Sequence, residues 1–285
     1  MAAWRDGYWW SNDGLRLHNR DYSGPDDRPP ILCIPGLTRN ARDFEGVAAR
    51  LGGAWRVICV ELRGRGESAY AKDPMTYVPL TYLQDIEALI RELKLDRLIL
   101  FGTSLGGLIT ALLSLSEGAR IAAVLVNDIG PAIDERGLER IRSYVGRTQS
   151  WPTWLHAARH FAQAQRDVYP DWTLHQWLTF AKRLCRLGAN GRIGFDYDMR
   201  IAEPFRIPGG ATGFDLQRAF AGLAGRPSLL VRGELSDLLS AATVEQMLAG
   251  NPDMEAVTVP RVGHAPTLDE PEVIAATERL LARVR

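Results

Sequence analysis

The chain has 285 residues, long enough for one large α/β domain or two small ones. Hydrophobic residues make up 46% and charged residues 24%, an ordinary globular composition. Thirty-four basic residues balance thirty-four acidic ones, which excludes the basic footprint of a nucleic-acid binder. Cys33, Cys59 and Cys185 show no metal spacing, and Cys33 and Cys59 sit inside apolar runs as small core residues. So sparse and odd a set implies a reducing compartment. The N-terminus, Met1 to Gly7, has no apolar core of signal-peptide length. No stretch approaches the roughly 18 uncharged apolar residues of a membrane span. The expectation is a cytoplasmic protein with no membrane or nucleic-acid partner.

Tyr8–Ser11 and Leu15–Tyr22 flank Asn12-Asp13-Gly14, a hairpin turn signal, so two antiparallel strands open the chain. A buried strand follows at Ile31–Ile34, then a helix with Phe44, Val47, Ala48 and Leu51 on one face. Arg56–Val60 is the next strand, ending in Glu61-Leu62-Arg63-Gly64-Arg65-Gly66-Glu67-Ser68. A helix over about Tyr82–Leu93 precedes the apolar run Arg97–Phe101. Ile121–Val126 is another buried strand, closing on Asn127-Asp128-Ile129-Gly130-Pro131. The alternation then stops until about Gly213, in a segment rich in arginine and tryptophan with no evident buried strand. It resumes with a strand at Leu229–Val231, a helix near Thr243–Leu248, a strand at Ala256–Val259 and a last helix opening at Pro271. Strands alternating with helices imply a mostly parallel sheet of about eight strands covered on both faces. The expected organisation is a core of residues 1–130 and 214–285, with a helical cap, 131–213, inserted after the sixth strand.

The run Leu98–Phe101 ends abruptly in Gly102-Thr103-Ser104-Leu105-Gly106-Gly107, and a helical pattern resumes at Leu108. Strand, sharp turn and helix around a Gly-x-Ser-x-Gly form the setting of a nucleophile elbow, with Ser104 exposed at the carboxyl edge of the sheet. The helix start favours negative charge at the same place. Alone, the motif also fits a plain Gly/Ser turn. An acid and a histidine following in order decide between the two, and both exist: Asp237 past the strand Leu229–Val231, and His264 past the strand Val257–Val259. Asp128, just past the strand Ile121–Val126, is the alternative acid, and the loser of the two is a turn aspartate. Asp237 is the expected choice, and the order Ser…Asp…His is that of an α/β hydrolase.

Across almost its whole length the sequence resembles the α/β-hydrolase superfamily. The matching pieces are Ile34-Pro35-Gly36-Leu37, Glu61–Ser68, Gly102–Gly107, Arg232-Gly233-Glu234-Leu235-Ser236-Asp237 and Gly263-His264-Ala265-Pro266. The lidded esterase, lactonase and C–C hydrolase branch is most similar. The resemblance implies Ser104 as nucleophile, His264 as its base, Asp237 (or Asp128) as the acid orienting the imidazole, and the backbone N–H groups of Leu37 and Leu105 as the oxyanion hole. It implies no metal and no organic cofactor. Two departures stand out: Pro35-Gly36 where many relatives carry His-Gly, and Glu61 where many carry Asp. Glu61–Gly64 reads as a structural turn. Arg63 and Arg65 suit either an anionic substrate or loop bracing, with bracing the simpler reading. Trp154 and Trp177 are weak candidates for the substrate pocket, and Asp196 and Asp198 are expected to brace the cap.

The implied activity is hydrolysis of a small carboxylic ester or lactone through an acyl-enzyme. Ser104 argues against the haloalkane and epoxide chemistries, which use aspartate at the elbow. Hydrolysis of a C–C bond in an aromatic ring-cleavage product is the nearest rival, weakened by the missing glycine-rich extension after Leu37. A cofactor-free peroxidase or oxygenase, or a ligand-binding receptor, also fits this scaffold.

Overall fold

The computed structural model describes residues 3–204 and 215–284. The chain begins with the hairpin β1 (Arg5–Trp10) and β2 (Arg16–Tyr22), followed by β3 (Ile31–Ile34), α1 (Glu45–Leu51), β4 (Val57–Glu61) and α2 (Pro79–Glu92). Next come β5 (Leu98–Thr103), α3 (Leu105–Ser116) and β6 (Ile121–Asn127). The inserted segment carries α4 (Glu135–Tyr144), β7 (Ser150–Trp151), α5 (Trp154–Ala164), α6 (Leu174–Leu184), β8 (Cys185–Leu187) and β9 (Ile193–Phe195). The chain ends with α7 (Leu216–Ala221), β10 (Ser228–Gly233), α8 (Ala241–Gly250), β11 (Met254–Val259) and α9 (Pro271–Ala282).

Eight strands form one sheet in the order β1-β2-β4-β3-β5-β6-β10-β11. The pairings β1–β2 and β2–β4 are antiparallel and all the others parallel, so the sheet is mostly parallel as the sequence pattern implies. Side-chain alternation splits the core in two. Leu32, Ile34, Ile58, Val60, Leu98 and Leu100 face α2 and α3, while Ile31, Cys33, Val57, Cys59, Ile99 and Phe101 face α1 and α9. Because both faces are covered, these strands read as unbroken apolar runs rather than as alternating ones. No helix among the described residues is long and apolar enough to cross a membrane.

The stretch between β6 and β10 is not wholly helical, contrary to expectation. Besides its helices it contains a three-stranded antiparallel sheet in the order β7-β9-β8. Strands of two or three residues are too short to show a period. Their one sequence signal is Asn190-Gly191 between β8 and β9, with Gly191 at φ +74°. The expected boundary at residues 213 and 214 lies outside the described residues.

Buried charge ties the body together. Arg63 is 1% exposed and bonds both oxygens of Asp85, itself 1% exposed, at 2.7 Å, while two further bonds reach Asp13. Removing Asp85 leaves the buried Arg63 charge with only the half-exposed Asp13 as a partner. Asp85→Ala should therefore cost about 3–5 kcal/mol in denaturant unfolding. A loss under about 1 kcal/mol would mean that Arg63 finds another partner or water.

Arg65 is also buried, and donates to the carbonyls of Leu37 and Arg63 and to the Tyr82 hydroxyl. Glu61 accepts from His18 Nδ1 and from the N–H groups of Ala41 and Glu67. Both arginines and Glu61 thus brace the loop between β4 and α2. None of the three lines the cavity described below.

Candidate active site

The turn after β5 holds Ser104 at φ +54°, ψ −115°, a conformation side-chain-bearing residues rarely adopt. Its neighbours permit it by being small. A Cβ on Gly102 would collide with the Gly106 carbonyl and the Thr110 hydroxyl, and one on Gly106 with the carbonyl of Ile34. The Ser104 N–H donates to the Asn127 carbonyl, so the elbow is also tied to the end of β6.

His264 comes from the loop after β11. The loop lies against the end of β10 so closely that a Cβ on Gly233 would strike the Val262 carbonyl. Three hydrogen bonds pin it: Gly263 N–H to the Val168 carbonyl, the Tyr169 hydroxyl to the Ala265 carbonyl, and Asn127 Nδ2 to the Pro266 carbonyl. Held there, His264 Nε2 lies 2.9 Å from Ser104 Oγ and Nδ1 lies 2.8 Å from Asp128 Oδ2.

The acid facing His264 is therefore Asp128, and the expectation of Asp237 in that place is corrected. Asp128 immediately follows β6 at φ +57° and is fully buried. Since β6 and β10 are adjacent, its carboxylate reaches across to accept from the Gly233 N–H at 2.9 Å and the Ser236 hydroxyl at 2.7 Å. Those bonds aim Oδ2 at the imidazole. Asp237 lies farther along the loop after β10, with its side chain 31% exposed, and takes a bidentate pair from Arg140 of α4 at 2.5 and 2.8 Å. Burial alone would raise the Asp237 carboxyl, but those bonds and the Arg140 charge hold it below its ordinary value.

Leu37 and Leu105 are placed beside Ser104 by local structure. Leu105 opens α3, and Gly36 packs against Ser104: a Cβ there would lie 3.7 Å from Ser104 Cβ. Arg65 Nε donates to the Leu37 carbonyl at 2.9 Å, anchoring the peptide that follows Leu37.

A cavity of about 690 Å³ opens onto Ser104 and His264. The α4–α6 region walls it with Tyr144, Phe161, Tyr169, Trp172 and Phe180. Trp154 and Trp177 do not line it, contrary to expectation. Trp177 is buried edge-on against Trp172 and Phe180, and Trp154 packs on the second core. Trp172, stacked 3.7 Å from Tyr169, lines it instead. Nothing in the sequence separates these tryptophans, because all occur in segments of helical composition. Asp198 caps the turn Met199–Ala202 and Asp196 pairs with Arg42. Among the described residues no cluster of three or more His, Cys, Asp or Glu is arranged to hold a metal ion.

Residues 31–277 match the alpha/beta hydrolase family. The chain belongs to that family. Among curated alpha/beta hydrolase relatives, the 3-hydroxybutyrate-oligomer hydrolase of Cupriavidus necator is 35% identical over 91% of this chain and 90% of its own. The 2-(acetamidomethylene)succinate hydrolase of Mesorhizobium japonicum is 27% identical over 86% of this chain and 84% of its own. A crystal structure of an alpha/beta hydrolase from Novosphingobium aromaticivorans superposes with a TM-score of 0.96 at 59% identity, covering all of both chains. The eight-stranded sheet is thus that of an alpha/beta hydrolase.

Proposed function

We propose that the protein is a serine hydrolase of small carboxylic esters, acting through an acyl-enzyme on Ser104. The observation that carries this is the continuous hydrogen-bonded line from Ser104 Oγ through His264 to Asp128. With Asp128 accepting from Nδ1–H, the lone pair of His264 Nε2 faces the hydroxyl. Ser104 Oγ attacks the ester carbonyl carbon while Nε2 takes its proton, and Asp128 stabilises the imidazolium so formed. The N–H groups of Leu37 and Leu105 receive the oxyanion. Collapse breaks the bond to the alcohol, which leaves with the proton from His264. Water then repeats the sequence on the acyl-enzyme, releasing the acid and restoring Ser104. The inserted segment acts as the cap of this site, since its aromatic residues wall the cavity.

The 35% identical relative named for 3-hydroxybutyrate oligomers directs the choice of ester to short oligoesters of hydroxy acids. A fluorophosphonate probe tests the nucleophile without knowledge of the substrate. One covalent adduct per chain, on the peptide containing Ser104, is the expected result. No adduct, or an adduct elsewhere, overturns the reading.

A further inference from the structure

The cavity in front of Ser104 is lined by more arginines than an ester requires. Arg39, Arg140, Arg147 and Arg183 all line it, against the carboxylates of Asp43, Asp269 and Glu270. These acids are engaged: Asp43 with Arg39, Asp269 with Arg50 and Arg183, and Glu270 Oε1 with the N–H and hydroxyl of Thr267.

Arg39 and Arg140 are held alike. Each gives Nε and one terminal nitrogen to a carboxylate, Arg39 to Asp43 at 2.6 and 2.7 Å and Arg140 to Asp237 at 2.5 and 2.8 Å. The remaining terminal nitrogen, Nη1, donates to no carboxylate or carbonyl among the described residues in either case, and Arg140 lies beside the Tyr144 hydroxyl. A guanidinium fixed along one edge has its other edge oriented in advance, so little side-chain entropy is lost when an anion binds there.

The supports are built into the backbone. A Cβ on Gly36 would lie 3.4 Å from Arg39 Cγ and 3.7 Å from Ser104 Cβ, which puts the Arg39 stem next to the nucleophile. Arg39 also stacks over the Phe180 ring, 4.5 Å from its centroid. On the other side, α4 approaches the loop after β10 so closely that a Cβ on Gly137 would lie 2.6 Å from the Asp237 carbonyl. Arg140, three residues on, shares that helix face and meets the Asp237 carboxylate there. Asp237 is thus a positioning residue for Arg140.

We infer that Arg39 and Arg140 form a carboxylate-binding subsite, and that the preferred substrates are esters carrying a second, free carboxylate. This rests on the serine-hydrolase reading and narrows its substrate class. A partly enclosed cavity strengthens such a charge pair relative to water, and a neutral ester leaves both free guanidinium edges without a partner.

The test uses two ester pairs, each an acid and its neutral carboxamide. One carries the group on the acyl part (4-nitrophenyl hydrogen adipate), the other on the alcohol part (3-butyryloxybutyrate). The readout is the ratio of kcat/KM for acid over carboxamide. In at least one pair the wild-type ratio should be tenfold or more. Arg140→Gln and Arg39→Gln should each lower it at least tenfold, with partial recovery in Arg140→Lys and unchanged circular dichroism. A wild-type ratio near one in both pairs, or a ratio that survives both glutamine variants, overturns the subsite. Neutral carboxamide esters cleaved by the wild type but not by Ser104→Ala keep the hydrolase reading standing even then. If Ser104→Ala cleaves them as fast as the wild type, the hydrolase reading itself fails.

Discussion

Ser104→Ala should lower kcat toward 4-nitrophenyl butyrate by about 10⁵–10⁶-fold, with KM changed less than about threefold. The asymmetry follows from what the side chain touches. Its hydroxyl bonds His264 Nε2, while the cavity walls come from other residues and survive the substitution. The residual activity expected is that of the proposed oxyanion donors, since the Leu37 and Leu105 N–H groups belong to the backbone. A loss below about a hundredfold would mean that Ser104 is not the nucleophile. The backbone supplies an independent check. At φ +54°, ψ −115° alanine is as strained as serine, whereas glycine is not. Ser104→Gly should therefore melt at a higher temperature than Ser104→Ala while being equally inactive.

Asp128→Asn should lower kcat by about 10⁴-fold, and Asp237→Asn by less than about tenfold on the same neutral ester. The larger effect follows from tautomers. An amide NH₂ facing Nδ1 favours the proton on Nε2, which removes the base from Ser104. Asp128 also accepts from Gly233 and Ser236, so the isosteric asparagine keeps the loop in place better than alanine and isolates the electronic effect. Asp237 makes no hydrogen bond to His264, and its carboxylate serves Arg140. Its loss should instead show in the preference for acidic esters. The reverse order of losses would place the working acid at Asp237.

Much of this molecule is legible as sequence because it is local. The strands around β5 announce themselves by unbroken apolar runs, since helices cover both faces of a parallel sheet. The elbow announces itself because glycine is required wherever another backbone comes within van der Waals distance, as at Gly102 and Gly106. The hairpin before β2 is carried by Asn12-Asp13-Gly14. The short strands β7 to β9 escape notice because two or three residues carry no period, and the choice of Trp172 over Trp154 and Trp177 escapes because Trp172 sits in the connection between α5 and α6, whose place only packing sets.

The acid shows where sequence stops. Spacing alone offers two aspartates, each past the carboxyl end of a strand, and the family resemblance favours Asp237. Sheet order decides the question. Because β6 lies directly beside β10, a carboxylate leaving β6 at Asp128 needs no loop to reach the β10 terminus and the His264 loop above it. Asp237, four residues beyond the end of β10 at Gly233 and one past Ser236, has already turned outward to meet α4. The residue types and their chain order, which set the chemistry, were determined by the sequence itself. Which carboxylate reaches the imidazole, and which one instead anchors an arginine, depended on distances between elements far apart in the chain, and only the packed sheet establishes those.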